Sequence, residues 1–86
     1  MEKFSRQEIE EKVKEIIVDK HGVQAQDVTA EAKLDENLGM DSLDALELEM
    51  ELEKVFSFTL DEQQAGIVRN NWTVGQVCDL VENLTK

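Results

Sequence analysis

Apolar residues in the opening stretch recur at Ile9, Val13, Ile16 and Ile17, which lines them along one side of a helix, while Glu8, Glu10, Glu11, Lys12, Lys14 and Glu15 fill the rest. Ser5-Arg6-Gln7-Glu8 supplies the start. The serine hydroxyl can accept from the backbone three residues on, the glutamate can reach back, and Phe4 and Ile9 flank the cap as an apolar staple. Gly22, after Lys20 and His21, supplies the stop, because a left-handed residue preceded by cations closes a helix. His21 reads as a partner of the helix C-terminal dipole, since no paired Cys or His accompanies it as a second ligand.

From Val23 to Met40 the period is lost. Val23, Val28, Ala32, Leu34 and Leu38 stand singly among polar residues, which predicts a long loop pinned by those positions, with a short helical turn over Asp27-Val28-Thr29-Ala30-Glu31. Irregular stretches of this length are uncommon in compact domains, so the loop is expected to be functional or held by its apolar anchors.

The pattern resumes in Leu38-Gly39-Met40-Asp41-Ser42-Leu43-Asp44-Ala45-Leu46-Glu47 and predicts a second helix from Ser42 to Val55 or Phe56. At 100° per residue, Val55, Leu48, Leu52, Ala45 and Phe56 fall within one arc of about 100°, the core face. Leu46, Met50 and Leu43 form a second apolar strip, bordered by Glu47, Glu51 and Asp44. A surface helix needs only one apolar face. The second strip is therefore expected to pack on the loop before Ser42, through Leu46, or to be offered to partners, through Leu43 and Met50.

Phe58, Leu60 and Ile67 predict a short third helix over Asp61 to Val68, capped by Asp61 and weakened by Gly66, followed by a turn at Arg69-Asn70-Asn71. Thr73-Val74-Gly75-Gln76 is another capping box, opening a last helix with Val74, Val77, Cys78, Val81 and Leu84 on one side. No strand pattern, no repeat and no proline occurs in the chain. The expectation is an all-α fold, a single domain over residues 1–86: a small four-helix bundle with a long loop between helices one and two and a short third helix.

Charge changes the picture. The net charge is −11 at pH 7, and residues 34–53 hold eight acids and no Lys or Arg: Asp35, Glu36, Asp41, Asp44, Glu47, Glu49, Glu51 and Glu53. Such a balance argues against nucleic acid and anionic membrane surfaces as partners and favours basic protein surfaces. Clustered carboxylates such as Asp35, Asp41 and Asp44 are also candidates for weak divalent-cation binding. The lone Cys78 cannot form an internal disulfide and reads as a small core residue. Ile16-Ile17-Val18 is too short to span a bilayer and no signal-peptide pattern follows Met1, so a cytoplasmic protein is expected; the chain is also expected to be discrete and monomeric.

Gly39 and Asp41 end the loop and cap the second helix, so Ser42 is displayed at a helix N-terminus, where unpartnered N–H groups and the helix dipole favour an anion. A phosphate ester on Ser42 would be well placed. The string Leu-Gly-x-Asp-Ser-Leu-Asp, followed by Leu46, Glu47 and Leu48, resembles the modification site of acyl carrier proteins, and the resemblance extends over most of the chain. It implies that Ser42 carries a covalent 4′-phosphopantetheine arm holding acyl intermediates as thioesters, and that Asp41 assists metal and transferase engagement. It also implies that Asp44 and Glu47 contact partners, that Leu48, Leu52 and Phe56 are core, and that the chain is a carrier and not an enzyme. The implied partners are a phosphopantetheinyl transferase and acyl-loading, condensing and acyl-transfer enzymes with basic surfaces, in fatty-acid or related polyketide-like or specialised lipid biosynthesis. Leu43, Met50 and Glu51 complete the expected docking face.

This chain departs from the family pattern at Met40, where a small residue is frequent, and at Glu49, where an apolar, partner-facing residue is common. Gln63 and Gln64 thin the acid of the third helix, and the stretch through Asn70-Asn71-Trp72 is a few residues longer than usual. These departures suit a carrier for a dedicated pathway. Two other readings fail on residues: a calcium loop counted from Asp35 has Met40 at its glycine position and Leu46 at its twelfth, and one His, one Cys and no Tyr give an enzyme little to work with. The alternative that remains is an acidic helical interaction module without a prosthetic group.

Overall fold

In the computed structural model, which describes residues 4–86, three α-helices pack around one apolar core: α1 (Arg6–His21), α2 (Ser42–Phe56) and α3 (Val74–Leu84). The class is all-α, as the pattern predicts. Both predicted capping boxes of α1 and α3 form: Ser5 Oγ accepts from Glu8 N while Glu8 accepts from Ser5 N, and Thr73 with Gln76 repeats the arrangement. Gly22 closes α1 in the left-handed region at φ 67°. Phe4 meets Phe56 edge-on at 5.0 Å between ring centroids, tying the start of α1 to the end of α2.

The stripe Ile9, Val13, Ile16 and Ile17 is buried, and α1 lies against both other helices. Arg6 fastens α1 to α3 through Asp79 at 2.7 Å and Glu82 at 3.1 Å, with Glu10 on its own helix at 3.0 Å. Asp79 and Glu10, its strongest partners, hold the guanidinium pKa above its ordinary value. Cys78 is a core residue, its thiol pushed up to about 11 by burial.

Of the apolar anchors predicted for the loop between α1 and α2, Val28, Ala32, Leu34 and Leu38 are buried and Val23 is partly buried against the core; Met40, which is not among them, is buried as well. The loop's backbone also runs beside the approach to α3, with Leu34 N donating to Trp72 O, Val74 N to Ala32 O and Gly75 N to Ala30 O. The helical turn expected over Asp27–Glu31 falls earlier, as a 3₁₀ turn at Ala25–Asp27.

The predicted third helix does not form. Over Asp61 to Val68 only one turn closes, where Asp61 and Gln64 exchange a reciprocal cap, and the chain then turns at Gly66 with φ 82°. Ile67 N donates back to Gln64 O, and three donors in and beside the segment go to α2 instead. Glu53 Oε2 accepts from Leu60 N at 2.9 Å, while Glu49 accepts from Gly66 N at 2.8 Å and Val68 N at 3.2 Å. Two glutamates one helical turn apart thus replace the ladder that a short third helix would have supplied.

Two placements on α2 also change. Val55, expected in the core, is 38% exposed, and Glu49, at a position where the family commonly has a partner-facing residue, is 3% exposed.

Candidate functional site

Asp41 caps α2 in an extended conformation, its Oδ1 accepting from Asp44 N at 2.9 Å while Asp44 Oδ2 accepts from Asp41 N at 3.0 Å. This reciprocal pair is a capping box built from two aspartates. Gly39, at φ 68°, turns the chain toward the cap, and the buried Met40 anchors it, with Met40 N donating to Leu34 O at 2.9 Å. Ser42 is therefore the first residue of α2 and is exposed. Among the described residues, neither Ser42 N nor Leu43 N donates to a protein acceptor, so the helix presents two free donors beside the hydroxyl.

A groove of about 420 Å³ opens next to that hydroxyl, with Ser42, Leu43 and Leu46 along α2 and Gly66, Arg69 and Asn70 opposite. Arg69 has no ion-pair partner among the described residues. The groove's chemistry fits a phosphate ester on Ser42: two backbone donors and the positive end of α2 stand at the hydroxyl, and Arg69 is among the residues that line the groove. An apolar tether beyond the phosphate would find Leu43 and Leu46 along the wall.

The expected docking residues separate into three kinds. Leu43 and Met50 are 65% and 53% exposed, an apolar pair on the outer face of α2, and Glu47 is exposed with no ion-pair partner among the described residues. Leu46, expected to pack on the loop before Ser42, is 45% exposed and lines the groove. Glu51 is largely covered and stands near Lys20 at 3.9 Å and Lys54 at 3.7 Å, so its charge is partly answered within the chain. Asp44 is committed to the cap, and His21 Nδ1 lies 3.6 Å from its Oδ1.

The three carboxylates considered for a divalent cation face backbone donors. Asp35 Oδ1 accepts from Glu36 N, and Asp41 and Asp44 accept from each other's backbone. Among the described residues no group of three or more His, Cys, Asp or Glu side chains is placed to hold a metal ion. No helix among them is long and apolar enough to cross a membrane.

Three residues gain parts that the pattern did not assign. Glu49 falls at the edge of the core arc of α2, so its angle signalled burial while its charge argued the reverse. Arg69 read only as part of a turn. His21 read as a dipole partner, and nothing in the linear order brings it to Asp44.

Comparison with known proteins supplies independent findings. Residues 11–81 match the family model described as a phosphopantetheine attachment site. An acyl carrier protein of Porphyromonas gingivalis is 42% identical over 79 residues, 92% of this chain and 97% of that protein. One from Amoebophilus asiaticus is 48% identical over 75 residues, covering 87% of this chain and 90% of its own.

Proposed function

The chain belongs to the acyl carrier protein family, and from that premise we propose that Ser42 is the residue on which its 4′-phosphopantetheine arm is esterified. When bound, the arm supplies a terminal thiol that holds acyl groups as thioesters; the chain is a carrier and not a catalyst. The observation that carries the assignment is the exposed Ser42 hydroxyl at the first position of α2, beside two unpartnered N–H groups and the Arg69 groove. Of the other serines, Ser5 has its Oγ engaged with Glu8 N, and Ser57 closes α2 in the left-handed region.

In this reading Asp41 holds the first turn of α2 in shape while the transferase engages it. Leu43 and Met50 supply apolar contact, and Glu47, with Asp44 and Glu51 behind it, supplies the charge that brings basic enzyme surfaces to α2. The partners are a phosphopantetheinyl transferase and acyl-loading, condensing and acyl-transfer enzymes. We read residues 1–86 as one acyl-carrier domain acting as a monomer. A cytoplasmic setting suits its single, free, buried cysteine.

The test is intact mass after incubation with coenzyme A, magnesium and a phosphopantetheinyl transferase. The native chain gains one arm and Ser42→Ala gains none. An arm on Ser42→Ala refutes the assignment of the residue, and none on the native chain with several transferases refutes the carrier reading and leaves an acidic interaction module.

A further inference from the structure

Glu49 is the one buried charged side chain among the described residues, 3% exposed, and it is held by two backbone donors and no cation. The donors belong to Gly66 and Val68, which also line the groove beside Ser42. Ser42, Ala45 and Glu49 lie on the same side of α2, three and four residues apart. Along that side of α2 a path from the Ser42 hydroxyl passes Ala45 and reaches Glu49, whose carboxylate is bonded to the buried Val68; Leu48 and Leu52, its neighbours on α2, are buried as well. We propose that Glu49 is a specificity-determining residue that keeps thioester cargo in the open groove and out of the helical interior, an inference that rests on Ser42 being the attachment residue.

An alkyl chain can enter between α2 and the Gly66–Val68 segment only if the two part. Parting breaks both hydrogen bonds to a charged acceptor, and the incoming methylenes offer no donor to replace them. The carboxylate would be left unpaired among leucines, an outcome that opposes the gain from covering the chain. An apolar residue at this position would leave the segment held by packing alone, and a cargo chain could take over that packing. Glu49 thus favours short or polar acyl groups, whose carriage requires no interior burial. Longer chains remain exposed in the groove.

The experiment loads the full chain with butyryl, octanoyl or dodecanoyl phosphopantetheine and follows attack of hydroxylamine on the thioester. Loading is read first, by intact mass: no added arm on the native chain refutes the Ser42 assignment, and this inference with it. On a loaded native chain the three cargoes should react within about twofold of one another, whereas on Glu49→Val the dodecanoyl thioester should react about tenfold more slowly than the butyryl one. Glu49→Gln, which keeps the shape but can accept only one of the two N–H groups, should fall between. Length-dependent protection of about tenfold on the native chain overturns the inference alone. So does a length-independent rate on both Glu49→Val and Glu49→Gln.

Discussion

His21 Nδ1 stands 3.6 Å from Asp44 Oδ1, so the last turn of α1 is set against the first turn of α2, two residues from Ser42. The contact is too long for a hydrogen bond, and His21 Nε2 is buried with no partner among the described residues.

The balance at this position favours removal of the imidazole. A buried unsatisfied nitrogen costs about 1–3 kcal/mol, more than a long contact to a carboxylate already held by its cap returns. His21→Leu is therefore expected to stabilise the fold by about 1 kcal/mol, read from urea midpoints. A loss of stability would show that the Asp44 contact outweighs the orphaned nitrogen.

Glu47 is the clean probe of docking. Glu47→Lys should weaken binding to a basic partner such as the transferase by about 0.5–2 kcal/mol at low salt, with the loss shrinking as salt rises and the melting temperature little changed. Asp44→Lys should also cost about 1 kcal/mol of stability, because it removes half of the capping box. Glu11→Lys, on exposed α1, is the control; an equal binding loss there would mean that net charge alone matters.

Glu49 holds the segment that failed to become a helix. Glu49→Gln leaves one of two backbone donors without its acceptor and is expected to cost about 1–3 kcal/mol. Amide exchange at Gly66 and Val68 should accelerate more than at Leu60, which bonds to Glu53. Uniform acceleration at all three would mean that Glu49 acts only through global stability.

The α1 cap sets an acid limit. Hydrogen bonds from the Ser5 backbone and side chain hold the Glu8 carboxyl below its ordinary 4.5. The unfolded chain then binds the proton more readily, so this contribution is complete above about pH 4.5 and fades as pH falls through the lower folded value. Melting temperatures of the native chain and Glu8→Gln should converge as pH drops below that range. Parallel curves down to the acid transition would contradict it.

Eight carboxylates between residues 34 and 53 repel one another in the folded chain, and only Lys20, Lys33 and Lys54 approach any of them as basic ion-pair partners among the described residues besides His21. Sodium salt should raise the melting temperature through screening. Magnesium at matched ionic strength should raise it equally, since Asp41 and Asp44 are occupied by each other's backbone. A larger magnesium effect would reveal a divalent site near Asp35, Asp41 and Asp44; a flat response to both would show the acids to be merely solvated.

The sequence by itself determined whatever is settled within a few residues. Ser5 with Glu8 and Thr73 with Gln76 cap their helices across three residues, Gly22 ends α1 by its own backbone freedom, and Asp41 places Ser42 in the first turn of α2. Such contacts form wherever the local string occurs, which is why the helix ends and the candidate serine were legible. The tertiary structure decided matters whose partners lie far along the chain. Asp61 to Val68 carries a helix start that closes as one turn, but Gly66 interrupts it and Glu49 takes N–H groups 17 and 19 residues away. The same distance hid the burial of Glu49, since a carboxylate reads as exposed until something donates to it. Arg69 reached the Ser42 groove, and His21 reached Asp44, only once the loop and α1 had packed against α2, because side-chain proximity across elements is created by burying the core and not by the order of residues.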